Sequence, residues 1–302
     1  MGEAWGEDSS ANQQRMRIFE QTAVMQLGGS FSCNSVVWIV SLAEEELGPS
    51  RRMMAGVSAH CSLHGYLFFM FDVKCRSELC QVLKNINFCA RENGLRPILV
   101  LDAHGNQQDG LVLDNSGEAM KWNDLGSLLQ QINISTCNNL CVIGAACFSL
   151  RTISPAKLDK AAPFFVLLAP EQDVKVGFLE DNLPAFFNRL FTGSSLDDAY
   201  SSHLSDVFKY FHCEMMLFNV VARYIVAGCK GKRGAERRER LMTEVFMHGM
   251  LNTKANRKIV RKKLKASLKP NQTLLDKYAE TFLVGRKCSF TMEQLLTFIE
   301  KK

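Results

Sequence analysis

Short apolar runs, each closed by polar or glycine-bearing residues, recur along the first two thirds of the chain. Residues 36–42, 66–73, 97–103, 139–146 and 163–169 are nearly continuous in Val, Ile, Leu, Phe and Ala. That is the pattern of strands covered on both faces, as in a parallel sheet. Residues 110–113 and 119–122 flank Asn115, Ser116 and Gly117, and read as two small strands around a turn. Between the strands the spacing turns helical. Leu79, Val82, Leu83, Ile86 and Cys89 or Ala90 predict a helix over residues 77–93, with Gly94 just beyond it. Leu125, Leu128, Leu129 and Ile132 predict another, capped by Asn123 and Asp124, and residues 182–191 a third. Residues 43–65, with three glutamates, Gly48-Pro49 and Arg51-Arg52, read as a helical turn and a long loop. Alternating strands and helices imply an α/β fold: a mostly parallel sheet with helices on both faces and right-handed crossovers.

From Leu204 the pattern is all-helical. Val207, Phe211, Phe218, Val221, Ala222 and Ile225 predict an amphipathic helix closed near Gly228, followed by a basic loop over 230–234. Helices follow over 235–248, 256–268, 271–283 and 291–300, the last opened by a Thr291…Gln294 capping box. Residues 1–14 are polar and expected to be disordered, and 15–27 read as a short helix or edge strand ended by Gly28-Gly29. The chain therefore divides into an N-terminal segment, 1–29, an α/β domain, 30–203, and a C-terminal all-helical region, 204–302.

Charge sharpens that division. The net charge of +5 conceals 21 Lys/Arg against 9 Asp/Glu after residue 200, leaving 15 against 22 before it. The basic face over 254–269 carries Arg257, Lys258, Arg261, Lys262, Lys263 and Lys265. No aromatics interleave with these charges and no reader motif appears, so nucleic acid is disfavoured. A solvated face, or a regulatory protein partner of acidic character, fits better. The longest apolar runs are too short to span a bilayer, and Gly6 stands where a myristoylation signal has Ser or Thr. No secretory signal pattern opens the sequence. Eleven scattered cysteines without any Cys-x-x-Cys suit a reducing cytoplasm. Cys61-x-x-His64 lacks a second half, so no metal site is read. No glycine-rich phosphate loop follows any strand, and no cofactor is expected.

The chemistry concentrates where two neighbouring strands end. His104-Gly105 closes the strand over 97–103, and Cys147 closes the strand over 139–146, 43 residues later. The carboxyl ends of adjacent parallel strands open into one crevice. A thiol with a reference pKa of about 8.5 needs a base to become a nucleophile at neutral pH. An imidazole within reach supplies one. A glycine beside it lets a substrate carbonyl approach the main chain closely. Taken singly, a Cys is most often a core residue and His-Gly most often a turn; the conjunction carries the expectation.

This stretch resembles the caspase-like cysteine peptidases, the group that contains separases, metacaspases and the CHAT proteases. His104-Gly105 and Ala145-Ala146-Cys147-Phe148-Ser149 carry the resemblance, with a hairpin and a helix between them; by element order it covers residues 36–200. The resemblance implies that Cys147 attacks a peptide carbonyl, that His104 manages the protons, and that the amides of Gly105 and Cys147 form the oxyanion hole. It further implies cleavage of one dedicated protein substrate, as in bacterial defence or cell-death pathways. Caspases carry Gln, and metacaspases Asp, where this chain has Ala145, so the charge of any specificity pocket must come from elsewhere. Glu171 or Asp173, after the strand over 163–169, would favour a basic substrate residue, as in separase- and CHAT-like enzymes. Arg51 or Arg52, in the loop after the first strand, would instead select an acidic one, unless they form ordinary solvated charge pairs. The alternative to a peptidase is an inactive caspase-like module that recruits a protein or nucleic-acid partner through its basic helices.

Overall fold

The computed structural model describes residues 31–113, 116–228 and 231–301. The expectations for residues 1–30, for Asn115 and for Lys230 lie outside the described residues. The described chain forms two compact bodies, one from Gly29–Cys213 and Ala279–Lys287, the other from Glu214–Tyr278 and Cys288–Lys302.

The first body is an α/β sheet structure. Strands β1 (Ser35–Ser41), β2 (Leu67–Asp72), β3 (Pro97–Asn106), β6 (Cys141–Ala145), β7 (Val166–Pro170) and β8 (Phe208–His212) lie in the order β2-β1-β3-β6-β7-β8. A small hairpin, β4 (Gly110–Leu113) and β5 (Glu118–Met120), extends from the end of β3. The first five strands of the main sheet pair in parallel, and β8 runs antiparallel to β7. All of β1, β6 and β7 is buried, along with the first seven residues of β3. This is why their sequences are apolar at every position rather than at alternate ones.

Helices α1 (Leu47–His64), α2 (Arg76–Asn93), α3 (Trp122–Ser135), α4 (Val176–Phe191) and α5 (Leu196–His203) connect these strands. The winding reverses after β2, so right-handed crossovers put α1 and α2 on opposite faces of the sheet. α4 packs against α1, and α3 against α2, completing the two outer layers. The α/β expectation therefore holds at the level of a mostly parallel sheet between helices.

Several boundaries differ from the sequence reading. Residues 47–64 are a full helix, not a loop: Leu47, Met53, Met54, Val57 and Cys61 form its buried stripe, and Gly65 ends it in the left-handed region. Pro49 sits in the first turn, where a missing N–H costs no hydrogen bond, so Gly48-Pro49 does not break the helix. The Arg51 and Arg52 guanidiniums lie on this helix and pair with Glu44, at 2.7 Å, and with Glu180. Helix α3 starts at Trp122, leaving Asn123 and Asp124 inside its first turn rather than at the cap. The expected helix from Leu204 is replaced at its start by β8, whose Phe208, Phe211 and His212 are buried against the sheet. The four-residue spacing of Val207 and Phe211 suits a helix, but pairing with β7 decides the outcome.

The second body is helical: α6 (Cys213–Gly228), α7 (Gly231–Met247), α8 (Lys254–Ser267) and α10 (Met292–Glu300), with α9 (Gln272–Phe282) preceding α10. Helix α7 absorbs residues expected in a basic loop. Phe218 meets Phe290 and Phe298 edge-on, with ring centroids 5.0 and 5.1 Å apart. Thr291 and Gln294 make the reciprocal capping box at the start of α10. Among the described residues, no helix is long and apolar enough to cross a membrane.

Candidate functional site

Strands β3 and β6 run in register to Asp102 opposite Ala145, where β6 ends. β3 continues through His104 and Gly105 into its ladder with β4, pairing Gly105 with Leu111. The chain leaving β6 turns at once through Cys147. Here the two segments press together: a β-carbon on Gly105 would fall 1.9 Å from the Cys147 carbonyl oxygen and 3.1 Å from its nitrogen. No side chain larger than hydrogen fits between them; the group that approaches is the chain's own Cys147 carbonyl, where the sequence suggested a substrate carbonyl.

The turn that presents Cys147 is held from both sides. Phe148 has φ 59°, in the left-handed region that a bulky residue enters only at a cost of about 1–3 kcal/mol. Its N–H donates to the Gln172 carbonyl at 3.2 Å, tying the turn to the segment after β7. The buried Ser149 hydroxyl donates to the Gly144 carbonyl at 2.9 Å. A β-carbon on Gly144 would meet that hydroxyl at 2.3 Å, so strand β6 needs a glycine there.

The Cys147 thiol is half-buried and accepts a hydrogen bond from the Val174 N–H at 3.4 Å. Burial pushes its pKa upward; the Val174 N–H opposes this, and the Asp173 carboxylate beside the sulfur adds to the rise. The His104 imidazole is about half exposed, and its Nε2 lies 2.9 Å from Glu46 Oε2. Glu46 ends the short 3-10 turn Glu44–Glu46 that follows β1. No hydrogen bond joins His104 to Cys147 among the described residues; each side chain faces a carboxylate instead.

Two residues before His104, and so on the same side of β3, lies Asp102. It is 4% exposed and accepts from Trp38 Nε1–H at 3.0 Å. Burial raises its pKa, against the lowering effects of hydrogen bonds from Ser50 and Trp38 and of the nearby His104.

The remaining sequence candidates divide. Asp173 lies against the thiol, whereas Glu171 is half-buried after β7. Ala145 is 3% exposed and sits in the sheet, so it lines no open pocket. The carboxylates at the two strand ends are thus Glu46, on His104, and Asp173, beside Cys147, with Asp102 buried two residues before the histidine. Sequence reasoning missed Glu46 and Asp102 as site residues, and named Ser149 only as part of the motif around Cys147. Only Asp102 left a signal, as a lone carboxylate inside a buried strand two places before a histidine. Among the described residues, no group of three or more His, Cys, Asp or Glu side chains is placed to hold a metal. The chain matches no protein-family model and no curated protein.

Proposed function

We propose that this protein is a cysteine peptidase of the caspase-like kind, with Cys147 as nucleophile and His104 as proton carrier. The observation that carries the reading is the main-chain contact between Gly105 and Cys147, which sets a His-Gly step and a cysteine turn side by side at the carboxyl ends of β3 and β6. In this reading the Cys147 sulfur attacks a peptide carbonyl carbon, forming a C–S bond, while the carbonyl electrons move onto oxygen. The Gly105 and Cys147 amides hold that oxyanion. His104 takes the thiol proton as the sulfur attacks and gives it to the leaving amine as the C–N bond breaks; it then takes one from the water that hydrolyses the thioester and returns it to the departing thiolate. With Nε2 held by Glu46, Nδ1 is the nitrogen left to move protons. Asp173 favours a basic substrate residue, whose charge would offset the effect of that carboxylate on the thiol. The cysteines among the described residues are free thiols, which suits a reducing compartment such as the cytoplasm.

A second reading, an inactive module that recruits a partner, is favoured by the upward-shifted thiol and by the pairing of His104 with Glu46 rather than with sulfur. One experiment separates the two. Peptidyl acyloxymethyl ketones bearing Arg, Lys, Asp or Leu next to the warhead are incubated with the protein, and the adducts are mapped by mass spectrometry. A peptidase labels at Cys147, fastest with Arg or Lys, and loses labelling in His104→Ala. Labelling spread evenly over the exposed thiols, or unchanged in His104→Ala, sinks the catalytic reading and leaves the inactive module.

A further inference from the structure

Helices α7 and α8 of the helical body enclose a groove of about 490 Å³, lined by Gly234, Arg238, Lys262, Lys265, Ala266, Leu268, Lys269 and Pro270. Four of the eight lining residues are cations and none is an acid. Some neighbouring cations on the same helices have partners. Arg261 makes a double hydrogen bond to Glu239, at 3.1 and 3.0 Å, Arg240 reaches Glu244, and Arg237 lies over the Tyr224 ring. Among the described residues, Arg238, Lys262, Lys265 and Lys269 have no such partner, nor have Lys254, Lys258 and Lys263 elsewhere on α8. Lys262, Lys265 and Lys269 stand three and four residues apart along α8 and its end, a spacing at which like charges repel. What sets the groove apart is that four cations converge on one concavity with no acid among them, an arrangement relieved by a bound anion.

The shape narrows the anion. The volume falls within the range of small-ligand sites, roughly 300–1,000 Å³. The apolar part of the lining is Ala266, Leu268 and Pro270, with no aromatic ring for a base to stack on. Lysine ammoniums are point donors suited to phosphate oxygens, and Arg238 adds a planar fork. We propose that this groove binds a small ligand carrying several phosphates in close succession, recognised through the phosphates rather than through a base. The proposal is independent of the peptidase reading.

The full-length protein is titrated by calorimetry at about 0.15 M salt. The probes are sodium tripolyphosphate, orthophosphate, a polyglutamate peptide, and short and long single-stranded oligonucleotides. Tripolyphosphate is expected to bind once per chain, at least about tenfold tighter than orthophosphate, and to weaken as salt rises. The double variant Lys262→Gln/Lys265→Gln should lose at least about tenfold in affinity with an unchanged thermal melt, whereas Lys258→Gln, outside the groove, should lose little. Should the double variant melt early, Arg238→Gln replaces it as the test of the groove. Absence of one-to-one binding overturns the proposal, as does equal weakening in Lys258→Gln. Polyglutamate binding as tight as tripolyphosphate would make the groove a protein-docking surface. Affinity climbing with oligonucleotide length would make it part of an extended nucleic-acid face, and either result overturns the small-ligand assignment.

Discussion

Gly105 touches Cys147 main chain to main chain, with room for a hydrogen atom and nothing larger between the Gly105 α-carbon and the Cys147 carbonyl oxygen. The contact fixes the spacing of the two strand ends more tightly than any side-chain bond in the crevice. Gly105→Ala would drive a methyl group into a carbonyl that is itself held by the Phe148 and Ser149 turn. The strand ends must part, at a cost of about 1–3 kcal/mol, the usual penalty for overpacking. A lower urea midpoint and loss of ketone labelling at Cys147 are the expected results. A variant as stable as the parent would mean that the contact is loose, and the site with it.

Glu46 makes a second relationship measurable. A carboxylate on Nε2 holds the proton there and leaves Nδ1 bare. Both partners are about half exposed, so the pair contributes under about 1 kcal/mol to stability, and its value lies in orientation. Long-range ¹H–¹⁵N spectra of the neutral imidazole should show the Nε2–H tautomer, and Glu46→Ala should bring in the other. An Nδ1–H tautomer in the parent protein would remove Glu46 from the proton path.

The strands, the hairpin and the His-Gly and Cys positions were legible because they depend on local patterns: continuous apolar runs, a turn, and the residue at which each run stops. What could not be read depends on partners far along the chain. Glu46 meets His104 only because β1 and β3 are adjacent, and the sequence shows it as one of three glutamates. The stripe Met53, Val57 and Cys61 was hidden behind Gly48-Pro49, whose breaking effect vanishes in a first turn. Strand β8 was hidden because its aromatics also fit helical spacing, and only the open edge of β7 decides between the two. The groove is likewise invisible in a charge run, which does not show which members converge on one concavity.

Asp173 sets up a variant with opposite effects on two readouts. Burial and this carboxylate both raise the Cys147 pKa, so removing the charge should lower it. Asp173→Asn should then react faster with iodoacetamide at neutral pH, by up to about tenfold, since one pH unit is tenfold in thiolate. The same variant should react more slowly with the Arg ketone, having lost the acidic partner. Burial holds Cys33 and Cys288 up at about 12 and Cys61 at about 11, and peptide mapping separates Cys147 from the exposed Cys137 and the half-buried Cys75, Cys80 and Cys89. If both reagents change in the same direction, Asp173 acts on the thiol alone and does not choose the substrate.

Asp102 gives a test in stability rather than reactivity. Its carboxyl is buried, with Trp38 and Ser50 donating to it, and burial raises its pKa above the unfolded value of about 3.9. The folded state therefore keeps this proton to higher pH than the unfolded chain does. Its contribution is full below about pH 4 and declines as pH climbs through the raised folded value. Asp102→Asn stays neutral throughout and has no such decline. The difference in urea midpoint, variant minus parent, should therefore move in the variant's favour as pH rises from about 4. Trp38→Phe should deepen the parent's decline, because the ionised carboxylate loses a donor worth about 1–3 kcal/mol when buried. If the difference moves the other way, the carboxylate is stabilised in its charged form. Its hydrogen bonds and the nearby His104 then outweigh burial, and Asp102 belongs with Glu46 among the groups that orient the imidazole.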